Sequence, residues 1–123
     1  MQEHSQARLL RIFIGESDKL GHQTLYEAIV FEAKKQGLSG ATVTRGIMGF
    51  GANSKVHTAK LFEISSDLPV VIEIVDTDEK IQSFTEQVEQ MFEQAQCGGL
   101  ITIEKAEIIR YKAGQHNEKS LSE

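Results

Sequence analysis

The sequence is poor in the residues that mark several common ways of building or using a protein. Cys97 is its one cysteine, so no disulfide can close within the chain; this agrees with a reducing compartment, and thiol chemistry is not indicated. Its one proline, Pro69, lacks a backbone donor, which predicts an edge or a bulge there rather than a central pairing position. The longest apolar runs are a handful of residues, far short of the ~20 a helix needs to cross a bilayer. Met1 to Ala7 lacks the basic start and apolar segment of a signal peptide, so a cytoplasmic protein is expected. Lysine and arginine form no run, and a formal net charge of -5 repels phosphate backbones, which argues against nucleic-acid binding.

Signatures of chemistry are also missing. The glycines follow neither the G-x-G-x-x-G nucleotide fingerprint nor the phosphate loop with its Gly-Lys-Ser/Thr ending. His22 and His57 lack the i, i+4 spacing or the cysteine partners of a metal site and read as solvated loop residues. No Ser-His-Asp set can be singled out: Ser65, Ser66 and Asp67 fall on a turn, where they most simply bond the backbone. No catalytic residue, metal ligand or required cofactor is therefore assigned.

What is present is the pattern of one small α+β domain. At 123 residues, 40% hydrophobic and 25% charged, the chain is long enough for one core. The domain is expected over residues 8–114, between flexible polar termini at 1–7 and 115–123. Arg8 to Ile14 alternates as a strand, with Leu10, Ile12 and Ile14 on one face and Leu9, Arg11 and Phe13 on the other. Gly15 to Gly21 reads as a polar loop. Thr24-Leu25-Tyr26-Glu27 matches a capping box, and Leu25, Ala28, Ile29 and Ala33 recur at helical spacing up to a Gly37 stop. A stretch rich in glycine, Gly37 to Gly51, then supplies a strand over about 41–48 and a loop centred on 49–55, with a return over 56–64 making a long hairpin.

Ser65 to Pro69 interrupts that return, and Val70 to Val75 resumes the strand. Ile81, Phe84, Val88, Met91, Phe92 and Ala95 draw the apolar stripe of a longer helix running to Gly98-Gly99, and 100–103 with 106–111 end the sheet. The order βαββαβ is the ferredoxin-like arrangement, an antiparallel sheet with both helices on one face. Alternation leaves Leu9, Phe13, Val71, Val75 and either Ile108 or Ile109 on the other face, a patch that predicts oligomerisation unless the tail or the loop folds over it. Glu73, in an otherwise apolar strand, needs a cation, and Arg11 is the candidate.

In order along the chain, Gly37-Leu38-Ser39-Gly40-Ala41-Thr42-Val43, Gly49-Phe50-Gly51, Lys55-Val56-His57-Thr58, Leu68-Pro69 with Val71 to Val75, and Ile108 to Lys112 with Gly114 resemble segments of the PII signalling superfamily. The resemblance is closer still to the PII-like family known as domain of unknown function 190, and it covers about Leu9 to Gly114. It implies a homotrimer with ligand clefts between neighbouring copies, adenine nucleotides as typical ligands, and a loop that answers to them. Matched residue by residue, Gly40, Thr42, Gly49, Phe50, Gly51, Glu73, Val75, Gly98 and Gly99 would frame a ligand, and Arg110 with Lys112 would face phosphates. A rigid guanidinium fork and a point charge suit that task.

Departures from the pattern matter as well. The second glycine loop is shortened to Cys97-Gly98-Gly99 with no lysine at its end, Ala52 stands where an arginine follows Gly-Phe-Gly, and Leu61 and Phe62 fall where the modifiable loop tyrosine would be. A mono- or diphosphate, a cyclic nucleotide or another small anion is thus placed on an equal footing with ATP. The expected function is a sensor whose loop controls a partner, with a membrane channel among the conceivable targets. The alternatives are an enzyme acting on a small anion in the same cleft and a metal-responsive trimer.

Overall fold

A computed structural model describes residues 5–51, 57–58 and 67–115. Its centre is a four-stranded sheet in the order β4-β7-β1-β8, formed by β1 (Ser5–Gly15), β4 (Thr42–Arg45), β7 (Pro69–Asp76) and β8 (Leu100–Ile108). Every neighbouring pair is antiparallel. With α1 (Leu25–Lys35) between β1 and β4, and α2 (Asp78–Ala95) between β7 and β8, this is the ferredoxin-like order expected.

The alternation of β1 and β7 explains the layering. Leu10, Ile12 and Ile14 with Val70, Ile72 and Ile74 are buried under the helices, meeting Leu25, Ile29 and Ala33 of α1 and Ile81, Phe84 and Val88 of α2. Helix α1 starts at Thr24, whose hydroxyl oxygen accepts from the Glu27 amide at 3.4 Å while its proton goes to the Glu27 carboxylate at 2.7 Å. The reciprocal arm of the capping box is thus made to the hydroxyl instead of the backbone. At the other end Gly37 takes φ +78°, and the Leu38 amide reaches back to the Ala33 carbonyl at 3.1 Å.

Several details differ from the sequence pattern. Residues 5–7, expected in a flexible polar terminus, belong to β1; the 1–4 and 116–123 parts of that expectation lie outside the described residues. The polar loop before α1 holds a small hairpin, β2 (Lys19–Leu20) paired with β3 (Gln23–Thr24), turned at Gly21 with φ +66°. Helix α2 stops at Gln96, itself left-handed at φ 56°, ahead of the glycine pair. Pro69 opens β7, which is a central strand; the missing donor is harmless at a first residue. Of the long hairpin, β5 (Met48–Gly49) pairs with β6 (His57–Thr58), whereas β4 pairs with β7; residues 59–66 lie outside the described residues.

The largest correction concerns the last strand. β8 is one continuous run that ends at Ile108, so Ile109, Arg110, Tyr111 and Lys112 lie beyond the sheet. Of the stretch 106–111 expected to end the sheet, only 106–108 does so.

Candidate functional site

On the helix-free face the strands line up side chains in rows. Thr42, Glu73, Arg11 and Thr102 stand abreast across all four strands. One row is Val75, Leu9 and Glu104; another is Thr44, Val71, Phe13 and Leu100. Arg11 donates from Nε to Glu73 at 2.8 Å, the cation expected for that lone acid, and from Nη1 to Glu104 at 2.9 Å. The two carboxylates hold the guanidinium's pKa above its usual value, the hydrogen bond that Arg11 donates to Glu73 contributing most. Around this ionic centre Leu9, Phe13, Val71 and Val75 are half-buried, and Leu100 is exposed.

The segment after β8 is tied to one end of the sheet. By register Ala7 and Ile108 are on the helix-free side, yet they are 1% and 8% exposed. Just beyond them the chain turns across the sheet end, where the Tyr111 hydroxyl donates to the Ser39 carbonyl at 2.6 Å. Ser39 is itself fixed: its amide donates to Asp76 at 2.8 Å and its hydroxyl bonds the Val75 carbonyl. Asp76, buried at 3% exposure, also accepts the Thr77 amide at 2.7 Å. Ser39, Asp76 and Tyr111 were not singled out from sequence.

The ligand candidates fall into two groups. Gly40, Val75, Arg110 and Lys112 belong to the end where β1 begins, since Val75 faces Leu9 and Tyr111 reaches Ser39, whereas Thr42 is level with Glu73. Gly49, Phe50, Gly51, Gly98 and Gly99 belong to the other, since Gly49 packs on Pro69, which faces Gly15, and Gly99 lies on the Phe13 carbonyl. From Leu9 to Phe13 is about 13 Å of strand. Glu73 stands between.

The glycines also separate by cause. A Cβ on Gly99 would come within 2.8 Å of both the Phe13 carbonyl and the Phe92 ring, and one on Gly49 within 3.1 Å of the Pro69 ring; packing accounts for both. Gly40, Gly51 and Gly98 meet nothing within 4 Å. Gly98 and Gly99 line a surface hollow together with Glu89, Phe92, Glu93, Cys97 and Ile101. Its charged members are acids, which repel phosphate. The Cys97 thiol there is pushed up by burial, with Asp18 adding to the shift. Among the described residues no group of three His, Cys, Asp or Glu side chains could hold a metal ion, and no helix is long and apolar enough to cross a membrane.

The model of a protein family described as "Uncharacterized ACR", domain of unknown function 190, matches residues 7–108. The chain belongs to that family. A UPF0166 protein of Aquifex aeolicus is 41% identical over 102 residues, 83% of this chain and 92% of that protein. A UPF0166 protein of Methanocaldococcus jannaschii is 34% identical over 105 residues, 85% of this chain and 94% of its own. Among solved structures, CPII, a nitrogen regulatory PII-like protein from Thiomonas intermedia K12 bound to ADP, AMP and bicarbonate, superimposes with a TM-score of 0.66. Its sequence identity is 17%, and the match covers 86% of this chain and 91% of that one. The domain of unknown function 190 fold is thus PII-like, as the resemblance implied.

Proposed function

We propose that this protein is a PII-like regulator that binds an adenine nucleotide in clefts between copies of a homotrimer. The observation that carries the reading is the division of the candidate residues. Cations stand at one end of the sheet and the open Gly98 turn, edged by Glu89 and Glu93, at the other, so a single copy cannot place both around one ligand. Packing copies through the half-buried Leu9, Phe13, Val71 and Val75 would cover apolar surface and bring unlike ends together. That the similar fold of CPII is bound to ADP and AMP makes these the first ligands to test.

Occupancy is read out by the segment after β4. Ile47, Met48 and Phe50 are 80%, 61% and 69% exposed, an apolar surface suited to a target protein. The ligand must favour one state of that segment, since equal affinity for both would shift nothing. The role is regulatory, with no catalytic step assigned.

Light scattering tests the assembly and calorimetry the ligand. A trimer that binds AMP or ADP is expected; a monomer at micromolar concentration, or silence with AMP, ADP, ATP and cyclic AMP at millimolar concentration, would overturn the reading.

A further inference from the structure

The chain beyond β8 is not an idle tail. Ile108 sits at the outer edge of the sheet, opposite Ser5, while Ser39 is held against the end of β7 by the Asp76 and Val75 contacts, two strands away. Two strand spacings are about 10 Å. Three residues, from Ile108 to Tyr111, give about 10 Å of extended chain, and the tyrosine side chain adds several ångströms more, so the phenol reaches Ser39 even with the bend at Ile109. The segment is therefore drawn across the sheet end, and the phenol at its tip makes the fastening. The burial of Ala7 and Ile108, on a face no helix covers, is what such a covering segment produces.

We propose that Tyr111 straps this segment to Ser39 and so fixes Arg110 and Lys112 beside the Gly37–Ala41 turn, making Tyr111 a positioning residue for the phosphates of the ligand. The inference rests on the nucleotide reading above for its ligand and on the hydrogen bond for its mechanism. Arg110 and Lys112 are both exposed, and each carries a long side chain whose rotamer freedom opposes any fixed contact. Securing the residue between them fixes both main-chain positions, leaving only side-chain freedom to be lost on binding. The strap's anchor is itself rigid, because Ser39 hangs from a buried carboxylate that also receives the first amide before α2.

The test is Tyr111→Phe in the full chain, which removes one hydroxyl and keeps the ring. Hydrogen exchange of residues 109–115 without ligand reads the strap; faster exchange with an unchanged melting temperature is expected. Titration with ADP and AMP reads the positioning: ADP affinity should fall about fivefold, and AMP affinity less, because the cations act on phosphate. Unchanged exchange overturns the strap. Faster exchange with an unchanged ADP-to-AMP affinity ratio overturns the positioning role. If the unsubstituted protein binds no nucleotide, the nucleotide reading fails and the positioning role with it, whereas the exchange result still decides the strap.

Discussion

Arg11 and Glu73 meet at 2.8 Å in the middle of the helix-free face, on adjacent strands and directly opposite one another. With Glu104 at 2.9 Å on the other side, one cation serves two carboxylates, and half-buried Leu9, Phe13, Val71 and Val75 surround them. Replacing Arg11 with Ala leaves two carboxylates facing each other across a vacant position, whereas Glu104→Gln leaves the Glu73 bond intact. The urea midpoint should fall for the first and move little for the second. Equal shifts would mean that Glu73 gains nothing from its cation.

Because Leu9 and Val75 are direct cross-strand partners on that same face, a charge there opposes packing of a second copy without touching the helical core. Leu9→Glu should yield a monomer by light scattering with unchanged helical circular dichroism. An intact oligomer would place the interface elsewhere.

Asp76 tests the support beneath the strap. Its carboxylate takes the Ser39 and Thr77 amides at 2.8 and 2.7 Å in a buried position, and an unpaired buried donor costs about 1–3 kcal/mol. Asp76→Ala should lower unfolding stability by about 3 kcal/mol by denaturant titration. A change within ~0.5 kcal/mol, the size usual for surface sites, would show that water replaces both bonds.

How far the sequence could be read follows from the range of the forces involved. The β1 alternation, the Thr24 cap and the stripe of α2 are local periodicities, and each appears where the pattern put it. The Arg11–Glu73 pair was legible because a lone acid in an apolar strand must find a cation. By contrast, nothing local tells that Gly99 lies under Phe92 and on Phe13, or that Gly49 makes room for Pro69, so the packing demand on these two glycines was not legible. The end of β8 was misjudged for a similar reason. Ile109 to Lys112 has the composition of a strand, and no local pattern announces the Tyr111–Ser39 bond that this segment makes beyond the ladder.

Cys97 gives a pH test. Burial, with Asp18 behind it, raises the thiol's pKa, so the folded state holds that proton more tightly than the unfolded chain does. Iodoacetamide at pH 8 should modify Cys97 more slowly than a free cysteine. Between the unfolded value of about 8.5 and the higher folded one, stability should decline as pH rises. A modification rate matching the free amino acid would show the thiol to be unshielded.

The last test asks whether the two ends of the sheet cooperate across copies. Gly98 is surrounded by open space, so Gly98→Asp should fold while adding a negative charge beside Glu89 and Glu93. Arg110→Ala removes a cation from the opposite end. Each variant alone should lose ADP affinity tenfold or so, the scale of one charge-assisted hydrogen bond. In a cleft built by two copies, a mixed trimer joins the intact Arg110 of one variant to the intact Gly98 of the other. Random mixing by co-expression should then restore about a quarter of the clefts to full affinity. A cleft contained in one copy gives no such recovery, because every chain in the mixture carries a lesion; calorimetric stoichiometry of the co-expressed protein distinguishes the two arrangements.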